Sequence, residues 1–213
     1  QNFQRNLDRR ESFSPVLSPI DLSARDEQDL WIDFIADTGD GGSATFAVAR
    51  AALAARLEVR GEPEPLPEAD VLLLGGDLAY PGASGPVYQY RFFEPFTLAL
   101  DPASRFFADG GEAQKIVAAI PQNHDWFDSA STFCRYFVAQ DKGDFLGART
   151  PQRQTYFALK LPHGFWVLGF DWALTGDLDR QQLEAFKALL DPTRDDGIQP
   201  GDDLLLIYPE PYW

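Results

Sequence analysis

The sequence has no methionine and a single cysteine, Cys134, among 213 residues. One thiol excludes an internal disulfide. Within the aromatic run "TFCRYF" it reads as a small buried hydrophobe. Long apolar runs are also missing, and none approaches the ~18–20 residues of a membrane-spanning helix. The opening segment "QNFQRNLDRRESF" lacks the apolar stretch of a secretory signal. Positive charge is scarce, with 18 Lys and Arg against 33 Asp and Glu and a net charge of −15. Such a surface repels phosphate backbones, which disfavours nucleic-acid binding, and it gathers cations around the molecule. A cytoplasmic protein without a membrane span is the expectation. Both ends read as cut from a longer polypeptide, because no initiator Met is present and the chain stops just after the strand-like "LLLIY". Only two histidines occur, His124 and His163.

Apolar material, by contrast, is ample. Seventeen Phe, seven Tyr and five Trp, with 45% hydrophobic residues overall, suffice for the core of one globular domain and exclude general disorder. Residues 1–28 read as an irregular lead-in, and residues 29–213 as the domain. Strands are expected at "LWIDFIAD", "VLLLGGD", "KIVAAIPQ" and "DDLLLIY", with two more joined by a turn in "QTYFALKLPHGFWVLGFDW". Helices are expected from Ser43 as N-cap, over "SGPVYQYRFFEPFTLAL" with a kink or break at Pro95, after Asp128 as N-cap, and over "LDRQQLEAFKALL". Strands alternating with helices give an α/β fold with a mainly parallel sheet covered on both faces. The pair near 154–171 adds an antiparallel element.

Ligands of such sheets bind outside the carboxyl ends of the strands. The first strand is followed by "ADTGDGG" with Asp37, and the second by "GGDLAYP" with Asp77 and Tyr80. The third is followed by "PQNHDW" with Asn123, His124 and Asp125, and Asp171 stands near a fourth strand end. Spacings of one βα unit bring Asp37, Asp77 and Asn123 to one edge. Each piece alone also reads as a helix cap or tight turn. Carboxylates crowded together, however, call for a proton or a cation. Oxygen donors of the Asp, Asn and Tyr kind suit Mg, Mn, Fe or Zn. An imidazole held by a carboxylate, His124 with Asp125, suits proton transfer. His163 reads as a surface turn residue, and Trp126, Phe127 and Trp172 as core or pocket wall.

The ordered set Asp37-Thr-Gly39, Gly76-Asp77-Leu-Ala-Tyr80 and Asn123-His124-Asp125 resembles the calcineurin-like metallophosphoesterase superfamily, over roughly residues 30 to 208. Its D-x-G and G-D-x-x-Y forms are those of purple acid phosphatases. The resemblance implies a calcineurin-like phosphoesterase sandwich with mainly parallel central sheets flanked by helices. It also implies hydrolysis of a phosphorylated small molecule or protein with two divalent or trivalent metal ions. In that reading Asp37 binds the first metal, Asp77 bridges, Asn123 binds the second, Tyr80 is a ligand of the purple-acid-phosphatase kind, and His124 is the acid. Two departures stand out. Gln122 replaces the glycine of the usual G-N-H motif, and no histidine follows His163 where the family carries further ligands. Glu210 stands near the place of the first of these, and a G-H-x-H segment would lie beyond Trp213. These departures keep a second reading open, a non-catalytic binding domain on the same fold. A haloacid-dehalogenase-type strand end fits less well, because Asp37 and Asp40 are three residues apart rather than two.

Overall fold

Val71, Leu72, Leu73 and Leu74 are all shielded from solvent, and their alternation explains the architecture. Successive strand residues point to opposite faces. Val71 and Leu73 enter one hydrophobic core, while Leu72 and Leu74 enter another. The computed structural model describes residues 16–25, 29–101, 103, 115–138, 145–172 and 176–209. In chain order they form β1 (Ile20–Asp21), β2 (Ile32–Ile35), α1 (Gly42–Ala52), β3 (Arg56–Leu57), β4 (Leu66–Pro67), β5 (Val71–Leu74), α2 (Gly85–Tyr88), a π-helical turn (Gln89–Phe93) and α3 (Glu94–Ala99). Then come β6 (Ile116–Ala119), α4 (Ser131–Phe137), β7 (Phe157–Lys160), β8 (Phe165–Gly169), α5 (Arg180–Leu189) and β9 (Asp203–Ile207).

The strands divide between two main sheets, where the alternation of strands and helices alone suggested one. One is wholly parallel, in the order β2-β5-β6. The other, β1-β7-β8-β9, is parallel at both ends, with β7 and β8 antiparallel in its centre. The antiparallel pair therefore belongs to a separate sheet. The core between the sheets holds Val71, Leu73, Ile116, Ala118, Phe157, Leu159 and Val167. Outside the parallel sheet, Leu72, Leu74, Val117 and Ala119 meet Phe92, Phe96, Phe133 and Phe137 from the helices. Outside the mixed sheet, Ala158, Trp166 and Leu168 meet Ala185, Phe186 and Leu189 of α5. The result is a mixed α/β fold of four layers, helix–sheet–sheet–helix.

Several local expectations change. The lead-in supplies β1, and Leu17 and Leu22 beside it are buried, so the fold begins before residue 29. Helix α1 starts at Gly42 with Gly41 at the N-cap position, not at Ser43. Thr45 explains this start: its hydroxyl donates to the carbonyls of Thr38 and Gly41, anchoring the first turn to the loop after β2. Pro95 does not break its helix. One turn earlier the coil widens, with the Glu94 N–H donating to the Gln89 carbonyl five residues back. Pro95 then falls in the first turn of α3, where its missing N–H costs nothing. Asp128 acts as a cap, accepting the N–H groups of Ser131 and Thr132. Cys134 is partly buried against the helical core. Among the described residues no helix is long and apolar enough to cross a membrane.

Asp171, read as a fourth strand-end acid, is buried and fully engaged. Its carboxylate accepts the Trp126 indole N–H at 3.0 Å and the Thr155 hydroxyl. Its backbone N–H and C=O pair with the Gln182 amide of α5, at 2.8 and 2.7 Å. It joins the mixed sheet, α5 and the turn after β6, and does not reach the edge where Asp37 and Asp77 lie together. Asp171→Ala strands buried donors and is expected to cost about 3 kcal/mol in urea unfolding.

Candidate metal centre

The parallel register sets the site. Ile35 pairs with Leu74, and Leu74 with Ala119, so the three strands end level with one another. Asp37 follows β2, Asp77 follows β5, and Gln122, Asn123 and His124 follow β6. Asp37 and Asp77 both adopt left-handed backbone conformations, with φ of 55° and 52°. Aspartate tolerates this region better than most residues, though still at a cost of about 1 kcal/mol or more. Strain of this kind concentrates where a structure must aim a side chain.

Two glycines permit the close approach of these loops. A Cβ on Gly39 would lie 2.4 Å from the Ala79 nitrogen. Gly76, with φ of +94°, would place one 2.5 Å from the Gln122 nitrogen. Backbone bonds then knit the first two loops: Asp37 N–H to the Gly76 carbonyl, Gly39 N–H to that of Asp77, and Tyr80 N–H to that of Gly39.

The side chains converge on one tyrosine. The Tyr80 hydroxyl lies 2.6 Å from Asp77 Oδ2 and 3.3 Å from Asp37 Oδ1. Asp77 Oδ1 accepts the His124 backbone N–H at 3.0 Å. Burial pushes the Asp77 carboxyl above its ordinary range, opposed by the Tyr80 and His124 donors. Burial, then the two carboxylates, likewise raises the Tyr80 phenol. The His124 ring lies between Tyr80 and Phe127, with centroids 4.3 and 4.6 Å away. Its Nδ1 is 3.1 Å from the Pro81 carbonyl. A carbonyl can only accept, so Nδ1 carries a proton and Nε2 is the nitrogen left for a substrate. The Asn123 side chain is exposed at the same edge. His163 sits in the exposed β7–β8 turn, with φ of 61°. Glu210 lies outside the described residues.

Asp125 does not orient the His124 ring as expected. Its carboxylate is fully buried and faces the other way. Oδ2 accepts the N–H groups of Asp77 and Gln122, at 2.7 and 2.9 Å, and Oδ1 accepts the Tyr88 hydroxyl. The Pro81 carbonyl takes the place assigned to Asp125 in holding the imidazole.

Three participants were missed in the sequence. Gln122 donates its side-chain amide to Asp37 Oδ2 at 3.2 Å. Its place beside Asn123 was the available signal. Tyr88 and the Pro81 carbonyl carried none. Among the described residues no three His, Cys, Asp or Glu side chains gather as a cation cluster.

Compared with known protein families and with curated protein sequences, the chain matches none.

The buried Asp125 gives a pH test. Desolvation pushes its carboxyl up to about 6, despite the three donors that favour the anion. The ordinary value is 3.8, so the native state holds this proton more tightly than the unfolded chain. The sign follows from linkage: the stabilisation is complete below about pH 3.8 and is lost as pH rises through about 6. Asp77, also raised, acts in the same direction. Urea unfolding of the metal-free protein is expected to show stability falling by on the order of 2–3 kcal/mol across this window. The fall should be much shallower in Asp125→Asn.

Proposed function

We propose that the chain is a metal-dependent phosphoester hydrolase of the calcineurin-like metallophosphoesterase type. The observation that carries this reading is the convergence of Asp37 and Asp77, from adjacent parallel strands, on the single Tyr80 hydroxyl. The donor set fits a hard cation, being carboxylate, phenol and amide with no thiolate. Asp37 would hold the first ion with Tyr80 beside it, Asp77 would stand between two ions, and Asn123 would serve the second. Manganese, iron, zinc and magnesium all suit such donors. When bound, the pair would supply positive charge against a phosphoryl group and an acidified water for in-line attack.

The residues of the chain account for the rest. His124 holds a proton on Nδ1 against the Pro81 carbonyl. The same contact serves the imidazolium, which carries a second proton on Nε2 to hand to the departing oxygen. Tyr80 and Phe127 both pack against the ring at tilted angles. Phe127 is 64% exposed and offers an apolar wall to the leaving group. The substrate is a phosphorylated small molecule or protein.

A second reading, a non-catalytic binding domain, draws on one observation. Gln122 already donates its side-chain amide to Asp37 Oδ2 from within the chain, at 3.2 Å. Metal analysis separates the two: two tightly bound ions per chain favour the hydrolase, and none favours the binding domain.

Hydrolysis of an aryl phosphate with added Mn2+ tests the proposal. Asp77→Asn is expected to reduce the rate to background, and wild-type rates in that variant would overturn the assignment. His124→Gln is expected to lower kcat by roughly 10²–10⁴-fold while Mn2+ binding persists.

A further inference from the structure

Gln122 makes a contact that the proposed chemistry does not use. Its backbone N–H is pinned to the buried Asp125 carboxylate at 2.9 Å. Its side chain lies across Gly76, where an added Cβ would come within 2.7 Å of Gln122 Cγ. The absent side chain at Gly76 thus makes the channel through which the glutamine arm reaches Asp37. There the amide nitrogen donates to Asp37 Oδ2 at 3.2 Å. The orientation is fixed chemically, because a carboxylate accepts and cannot pair with the amide oxygen. The single proton of the Tyr80 hydroxyl lies nearer Asp77 Oδ2, at 2.6 Å, than Asp37 Oδ1, at 3.3 Å, so the Gln122 amide is the donor committed to the Asp37 carboxylate.

Resting on the metal-site reading above, we propose that Gln122 is a latch on the first carboxylate. Its amide holds Asp37 where a divalent cation would, and the cation must displace it to bind. The latch is neutral, so its removal alters competition for Asp37 without changing the charge of the site. Gln122 is therefore a positioning residue that lowers cation affinity, not a ligand.

Calorimetric titration of the metal-free protein with Mn2+ tests this. Gln122→Ala keeps the backbone N–H that Asp125 needs and removes the arm. It is expected to bind Mn2+ about fivefold more tightly, the scale of one charge-assisted hydrogen bond at an exposed site. Gln122→Asn, which keeps an amide on a shorter arm, should shift affinity the same way and guards against a folding defect in the alanine variant. Binding by Gln122→Ala where the wild type binds none would also support the latch. Unchanged affinity in both variants overturns it, and so does weaker affinity, which would make the glutamine oxygen a ligand. Asp77→Asn is the control for the underlying site. Mn2+ binding at wild-type strength in that variant, or no binding in any form, overturns the metal centre and the latch together.

Discussion

The buried carboxylate of Asp125 is the constraint on which the site depends. It accepts the backbone N–H of Asp77 from the loop after β5 and that of Gln122 from the loop after β6. It also takes the hydroxyl of Tyr88, at the end of α2 in the outer helical layer. The tie is reciprocal, since the His124 N–H just before Asp125 returns to the Asp77 carboxylate. Two strand ends and a helix are thereby fixed by one side chain. Left unpaired, each of these buried donors would cost about 1–3 kcal/mol. Burial raises the carboxyl to about 6, so the same contact that aligns the loops also makes them sensitive to pH.

The layers explain why this arrangement can be rigid. Leu72, Leu74, Val117 and Ala119 press one face of the parallel sheet against the phenylalanine-rich helices, and Val71, Leu73, Ile116 and Ala118 press the other against the mixed sheet. Short strands buried on both faces cannot slip register without turning every side chain to the wrong core. Asp171 adds a brace from the second sheet by gripping the Trp126 indole, two residues beyond His124. The turn after β6 is therefore held from both sides, by Asp125 within its own sheet and by Asp171 from the neighbouring one.

Much of this edge was legible in the sequence, for a simple reason. A run such as "VLLLGGD" states both that a strand is buried on two faces and where it stops, so Asp37, Asp77 and the Asn123–His124 pair could be placed at one edge from spacing alone. The division into two sheets was not legible in the patterning, because period two tells which residues are buried but not which sheet they face. Nor was the direction in which Asp125 points. In sequence it neighbours His124, but on the one-turn 3-10 segment that begins there, adjacent side chains diverge. The π-helical turn ahead of Pro95 was hidden as well, since a missing N–H can be accommodated by a wider turn as readily as by a break.

Tyr80 then gains a role that motif matching would describe only as a ligand. Its hydroxyl stands between the two carboxylates, 2.6 Å from Asp77 Oδ2 and 3.3 Å from Asp37 Oδ1, and its ring packs on the His124 imidazole. Donor and ring belong to one rigid side chain, so a shift of the hydroxyl must also move the surface on which the imidazole rests. The Pro81 carbonyl that fixes His124 Nδ1 belongs to the next residue along. The His124 imidazole and the carboxylate pair are thus coupled through two consecutive residues of one loop. In the proposed hydrolase, Asp37, Asp77 and Tyr80 would hold the cation, and the Tyr80 ring and the Pro81 carbonyl would tie the placement of the His124 proton donor to theirs.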